Sequence, residues 1–409
     1  MGLNNENNDK ELAIFGGTPV RSSRIFYGKQ SVEDTDIDAV VKVLKSDWLT
    51  QGPNVRRLEE MLCEKFGAKY AVASTNGTSA LHLACIAAEI KPGDEVITTP
   101  MTFAASANCV RYCGGRVIFA DICEDSKTID PDIIESKITE KTKAVIAVDY
   151  AGQPAQLDRI RDICDRNGLF LIEDAAHSLG STYKGRPIGS IADFTTFSFH
   201  PVKTITGGEG GAVLCSNKKY ADNMKLAANH GITKDPGILT LPEKEIDPWY
   251  CEQILLGYNF RMTDIQAVLI ISQAERLDQY KRRRKEILER YNSSFSQLNG
   301  LICPQPYYDS DPCWHLYVLR INPNLAPLDR RQMFTALAAE NIQPQVHYVP
   351  VHLHPDYRAL GHYKGECPVA EKIYEEILSL PLYPSMTNKD VEDVISAVHK
   401  VYRYYEGLV

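Results

Sequence analysis

Between residues 70 and 215 short apolar runs alternate with helical spacers, and that rhythm limits the possible folds more than any other feature. The runs are Tyr70–Ser74, Glu95–Thr98, Val117–Ala120, Ala144–Val148, Leu169–Ile172, Phe194–Ser198 and Ala212–Cys215. They are rich in Val, Ile and Phe, and Gly, Asp or Asn bounds most of them, as strands require. Spacers such as Leu157–Asn167 carry apolar residues at helical intervals. Strands separated by helices predict an α/β domain with a mainly parallel sheet. Upstream, Ile37, Val40, Val41 and Leu44 predict an amphipathic helix within Ser31–Trp48.

Near Met262 the texture changes. Thr263 to Leu288 predicts one long helix, in which Lys281, Arg282, Arg283 and Arg284 form a basic run. Glu275, Asp278 and Glu286 lie at ion-pairing intervals, so the run is expected on a solvated face. A strand over Trp314–Ile321 and helices over Asp329–Asn341 and Pro368–Leu378 follow. The expected division is a large domain over residues 14–265 and a smaller C-terminal α+β domain over residues 266–409.

With 44% hydrophobic and 24% charged residues, the 409-residue chain has an ordinary globular composition. Its net charge of −8 argues against a general nucleic-acid binder, though not against a small anionic ligand. The eleven cysteines contain no C-x-x-C pair or zinc spacing, and Cys85 and Cys215 lie in apolar runs. Reduced structural thiols in a cytoplasmic protein are expected. No run approaches the roughly 20 apolar residues of a membrane span. The segment Met1–Lys10 is polar, unlike a signal peptide, and Glu6 stands where a myristoylation motif beginning at Gly2 needs Ser or Thr.

The chemistry concentrates between Leu169 and Cys215. One strand delivers Glu173 and Asp174 at its carboxyl end, where open α/β sheets place ligands. A later strand ends at Ser198, Phe199 and His200, and Lys203 follows. A carboxylate and an amine so placed suit the two ends of pyridoxal phosphate. The amine holds the cofactor's aldehyde, and the carboxylate keeps the pyridine nitrogen protonated so that the ring acts as an electron sink. The glycine-rich run Gly207–Gly211 lets backbone pass behind the lysine before re-entering a strand. Ser74 to Leu81 follows a strand and opens a helix, which makes it either a phosphate cradle or a helix merely capped by Thr78 or Ser79. His200 is open between acid–base work and filling. His352 and His354 are expected in a loop rather than on a metal, and no metal is assigned.

These residues resemble the DegT/DnrJ family of nucleotide-sugar aminotransferases. Leu49–Gly52 (LTQG), Glu173–Ser178 (EDAAHS), Ser198–Lys203 (SFHPVK), the glycine run and Gly257–Ala267 (GYNFRMTDIQA) occur in that family's order. The resemblance implies the aspartate-aminotransferase-like fold, type I of the pyridoxal-phosphate transferases. It implies Lys203 and Asp174 as catalytic residues, Gly77, Thr78 and Ser198 on the cofactor phosphate, Phe103 on the ring and His177 near the ring hydroxyl. Asn259 would reach the phosphate of a second subunit, giving a homodimer with shared sites. Val148–Ala155, Gln345–His352 and Ser379–Thr387 extend the likeness to the branch that aminates a UDP-linked 4-keto-6-deoxy-N-acetyl hexose for pseudaminic acid, with glutamate as donor. Its substrate positions fall on Tyr27, Asp47, Trp48, Leu49, Thr50, Gln345, Val346, His347 and Tyr348. Another 3-keto or 4-keto nucleotide sugar is the alternative, and a regulatory protein on the same fold a further one.

Overall fold

The computed structural model describes residues 11–241 and 246–408. The readings of Met1–Lys10 and of Gly2 and Glu6 lie outside them. Seven strands form the central sheet: β1 (Tyr70–Ser74), β2 (Glu95–Thr98), β3 (Arg116–Phe119), β4 (Thr142–Val148), β5 (Phe170–Asp174), β6 (Phe194–Ser198) and β7 (Gly211–Cys215). Their order is β1-β7-β6-β5-β4-β2-β3. Only β7 runs against its neighbours, pairing antiparallel with β1 and β6. The others pair in parallel, as in Ile146↔Ile172 and Asp174↔Thr196.

Successive strand residues point to opposite faces. Val96, Ala144, Ile146 and Val213 enter one buried cluster, while Ile97, Val145, Ala147 and Leu214 enter the other. Both faces are therefore dry, and the strands read as unbroken apolar runs rather than alternating ones. Helices α3 (Gly77–Ala87) and α4 (Ala105–Tyr112) cover the first face; α2 (Pro53–Phe66) and α5 (Leu157–Asn167) cover the second.

Helix α1 (Asp34–Leu44) forms where expected, but its apolar stripe faces outward. Ile37, Val41 and Leu44 are 52%, 37% and 55% exposed. The buried anchor is Asp36, which accepts from Ser272 Oγ at 2.6 Å, Gln273 Nε2 at 2.7 Å and Arg276 Nη2 at 2.6 Å. This cluster also corrects the single helix expected over Thr263–Leu288. The chain forms α6 (Asp264–Ala274) and α7 (Leu277–Phe295), broken at Glu275 and Arg276, where the guanidinium turns onto Asp36.

The expected boundary after residue 265 falls just inside α6, whose Ala267, Ile270 and Ala274 pack with the second face. Helix α7 then leads from that cluster, through Leu277 and Tyr280, into a third one, through Ile287, Tyr291 and Phe295. The third cluster surrounds a small sheet of β8 (Leu301–Ile302), β9 (Tyr317–Ile321) and β10 (Ile377–Leu380), with helix α8 (Asn388–Glu406) and the N-terminal Leu12 and Ile25.

The basic run departs from its expected solvated face. Arg284 is 1% exposed, and its Nη1 donates to the carbonyl oxygens of Trp314 (3.3 Å), His315 (3.1 Å) and Leu382 (2.9 Å). The 3.6-residue period sets it in line with buried Tyr280, Ile287 and Tyr291. Its neighbours do pair outside: Lys281 with Asp311 at 2.7 Å, Arg283 with Glu286 at 3.2 Å. His352 lies in a short 3₁₀ turn, Val351–Leu353, buried and joined through Nε2 to Glu371 at 2.8 Å.

Candidate active site

A cavity of about 470 Å³ opens where β5 and β6 end at their carboxyl termini. Asp174, the last residue of β5, is 5% exposed. Its Oδ2 accepts from Ser106 Oγ at 2.6 Å and its Oδ1 from the Ala176 N–H at 3.1 Å. Burial pushes its carboxyl up from the ordinary value, against the pull of those two donors and of Lys203. Lys203 follows β6 through a turn in which its N–H donates to the His200 carbonyl at 2.9 Å. Burial pushes its amine down to about 8, and the Asp174 charge opposes the shift. A desolvated amine that sheds its proton near neutral pH is a nucleophile and a proton carrier.

Helix α3 begins at the same opening. Its cap is Asn76, whose Oδ1 accepts from Ser79 N at 2.8 Å, while Ser79 Oγ accepts from Asn76 N at 3.1 Å. Asn76 therefore performs the capping that the sequence left to Thr78 or Ser79. That arrangement leaves the first two helical N–H groups, on Gly77 and Thr78, directed at the cavity end of the helix. Ser198 closes the cradle. A Cβ on Gly77 would stand 2.8 Å from Ser198 Cβ, so only glycine permits this approach. Gly211 is as confined, since a Cβ there would lie 2.2 Å from the Asn76 carbonyl oxygen. Two free N–H groups, the Thr78 and Ser198 hydroxyls and a helix dipole suit a phosphate.

Aromatic rings build the remaining wall. Phe103, 61% exposed, stands at the mouth with its ring 6.1 Å from that of Tyr348. His177 Nδ1 accepts from Ala151 N at 3.3 Å, and its Nε2 meets the Tyr348 hydroxyl at 3.1 Å. His315 lies 4.5 Å from the His177 ring, and His347 lies 4.8 Å from Tyr27. His347 is held through Nδ1 by Ser379 Oγ at 2.8 Å, and its carbonyl accepts from the Tyr150 hydroxyl. Burial, with Lys203 nearby, holds His177 and His315 well below the usual histidine range and His347 at about 3. All three rings are neutral at physiological pH, so the site's mobile proton sits on Lys203. His200 lies exposed at the rim, its pKa lowered by burial.

The fold thus brings Tyr27, Gly77, Thr78, Phe103, Asp174, His177, Ser198, Lys203, His347 and Tyr348 to one cavity. Others stand apart from its lining. Asp47, Trp48, Leu49 and Thr50 are exposed, with Thr50 bridged to Thr263. Gln345 is exposed and bridges Ser379, and the Val346 N–H donates to the Gln345 side chain at 2.9 Å. Asn259 is exposed on a segment bridged to Asn229 and is not part of the cavity lining. Three contributors went unread in the sequence: Ser106, Tyr150 and His315. Ser106 sits three positions after Phe103 and was accessible to helical spacing; nothing local marks the other two.

A model of the DegT/DnrJ/EryC1/StrS aminotransferase family matches residues 30–399. The spore coat polysaccharide biosynthesis protein SpsC of Bacillus subtilis is 42% identical over 377 residues, 92% of this chain and 96% of that one. Among solved structures, PseC of Helicobacter pylori, an aminotransferase involved in the biosynthesis of pseudoaminic acid, superimposes with a TM-score of 0.86. It is 30% identical and covers 93% of this chain and 100% of its own. A Streptococcus pneumoniae sugar-aminotransferase candidate solved in its PMP form has a TM-score of 0.86 at 31% identity, covering 94% and 99%.

Proposed function

The chain belongs to the DegT/DnrJ/EryC1/StrS aminotransferase family, whose members are pyridoxal-phosphate-dependent sugar aminotransferases, and from that membership we propose its substrates. The acceptor is a UDP-linked 4-keto-6-deoxy-N-acetyl hexose of the pseudaminic acid type, and the donor is glutamate. One observation carries the reading: Lys203 and Asp174 share a cavity with the Gly77–Thr78 cradle and with the wall supplied by His347 and Tyr348. That wall belongs to the Gln345–His352 string on which the pseudaminic likeness rests. The structural likeness to PseC over nearly the whole chain supports it as well.

When bound, the pyridoxal ring supplies the electron sink that stabilises negative charge at the amino-bearing carbon. Asp174, fixed by Ser106 and Ala176, holds a proton on the ring nitrogen. Gly77, Thr78 and Ser198 hold the phosphate, and Phe103 and His177 confine the ring. Lys203 would hold the cofactor's aldehyde through its ε-amine, and the same amine, when free, would carry the proton at the amino-bearing carbon in both the glutamate and the sugar half-reactions. Residues 14–265 hold the cofactor and carry five of the substrate positions, and residues 266–409 carry the other four. Tyr27, Asp47, Trp48, Leu49, Thr50, Gln345, Val346, His347 and Tyr348 form the sugar-nucleotide path.

The working unit in this reading is a homodimer. Two features support it: Asn259 is exposed and does not line its own chain's cavity, and the Ile37, Val41 and Leu44 stripe is exposed among the described residues. Eleven free thiols support a reducing, cytoplasmic setting. A different 3-keto or 4-keto nucleotide sugar is the second reading, favoured by the likeness to a spore coat polysaccharide protein. A panel of UDP- and dTDP-linked keto sugars, assayed with glutamate and followed by product analysis, decides between them. The UDP-linked 4-keto-6-deoxy-N-acetyl hexose is expected to be aminated fastest; amination of another panel member with none of this one would replace the substrate.

A further inference from the structure

We infer that the Tyr348 hydroxyl is a fixed-direction hydrogen-bond donor into the active-site cavity, and that His177 is the positioning residue that sets this direction. The argument follows the protons. The Ala151 N–H has only a hydrogen to give, so His177 Nδ1, 3.3 Å away, is the acceptor. A backbone group cannot rotate to reverse that role, and Ala151 is held in a left-handed turn (φ 58°) whose carbonyl accepts from His315 N at 2.9 Å. The ring is neutral because burial and Lys203 disfavour its charged form. A neutral imidazole carries one proton, which must then be on Nε2.

Nε2–H therefore donates to the Tyr348 oxygen across 3.1 Å. With a lone pair of that oxygen taken, the phenolic hydrogen turns elsewhere. No acceptor within the described residues takes it, and Tyr348 lines the cavity beside Phe103. The preceding backbone is pinned, since the His347 carbonyl is held by Tyr150 and the His347 ring by Ser379. The hydroxyl thus arrives as a preorganised donor for an acceptor oxygen, the kind of group worth most where water is excluded. Two oxygens fit that chemistry: the ketone oxygen of the acceptor sugar and the ring hydroxyl oxygen of the cofactor. Both nitrogens of His177 are already engaged, so Tyr348 rather than His177 presents the donor to either. The assignment rests on the transaminase reading above.

Neutron diffraction from deuterated crystals of the full chain tests the direction without turnover. Deuterium is expected on His177 Nε2 and on Tyr348 Oη pointing into the cavity. Deuterium on Nδ1, or on both nitrogens, overturns the inference. Kinetics of the holoenzyme then identify the acceptor. If it is the sugar ketone, Tyr348→Phe lowers kcat/KM for the keto sugar about tenfold. The glutamate half-reaction, read as bleaching of the visible band, then stays unchanged. If it is the cofactor oxygen, Tyr348→Phe shifts the visible band and its pH titration. An unaltered spectrum with unaltered sugar kinetics refutes the donor role. His177→Gln can accept from Ala151 and donate to Tyr348, so it is expected to retain most of the rate, whereas His177→Ala loses what Tyr348→Phe loses. Equal loss in both His177 variants refutes its positioning role. Were glutamate to leave the visible band untouched in the native holoenzyme, the transaminase reading would fall, while the neutron map would still judge the hydrogen-bond direction.

Discussion

In the cofactor-free protein the Lys203 amine is expected to lose its proton near pH 8 rather than at the ordinary lysine value of 10.5. Its surroundings replace water with Asp174, His177, Tyr348 and the strand ends, and only the Asp174 charge opposes the loss of the proton. At pH 7 an amine titrating at about 8 is roughly one-tenth neutral, whereas an unperturbed one is neutral in about one molecule in 3,000. The cavity thus raises the reactive fraction roughly 300-fold. Stopped-flow capture of pyridoxal phosphate by the cofactor-free protein, followed at the visible band between pH 7 and 10, reads this directly. The rate should rise about elevenfold in all across that range, reaching half its maximum near pH 8 and levelling off above about 9. Asp174→Asn removes the charge that holds the proton on, so the midpoint should fall further. The same shift has a stability consequence. Because the folded value lies below the unfolded one, the unfolded chain binds more protons between about 8 and 10.5, and the cofactor-free protein gains stability as pH rises through that window. The ceiling on that gain is about 3 kcal/mol. A capture profile still rising past pH 10, or capture that survives Lys203→Ala, would refute the reasoning.

Asp174→Asn should also slow turnover by about a hundredfold or more while leaving the phosphate cradle able to retain cofactor; kcat of the holoenzyme checks this, and an unchanged value shows another group holding the ring nitrogen. Gly77→Ala forces a Cβ to 2.8 Å from Ser198 Cβ and should weaken pyridoxal phosphate binding about tenfold at nearly constant fold, measured by equilibrium titration with circular dichroism as control. Asp36→Ala strips the partner from the largely buried Arg276 and should cost about 3 kcal/mol or more in urea unfolding, with intact Asp174 and Lys203 geometry. Burial pushes the Asp36 carboxyl up, but Arg276 and Ser272 hold it below the ordinary value, so the stability this pair provides is present at neutral pH and lost as pH falls through that lowered value.

The seven strands were legible because each is short, apolar and buried on both faces, so local composition and final environment agree. Their observed ends lie within two residues of the expected ones, and Leu157–Asn167 forms as read. Agreement failed where a distant charge intervened. Nothing within Thr263–Leu288 announces that Arg276 will leave the helical line for Asp36, some 240 positions earlier in the chain. Arg284 looks solvated in a run of four cations, yet three carbonyl oxygens from β9's approach and the segment beyond β10 wait beneath it. The stripe on α1 was recognised as apolar, but period alone cannot say whether such a face meets its own core or stays uncovered within one chain.

The sequence by itself determined the mainly parallel α/β sheet and the places of Asp174 and Lys203 just past two of its strands, because a short apolar run and its polar boundary depend on what lies immediately beside them along the chain. Tertiary structure alone decided that Ser106 orients Asp174 and that the Ala151 N–H fixes the proton of His177 against Tyr348. Those contacts join segments well separated in sequence, and their strength lies in a shared cavity that exists only once the chain has closed around it.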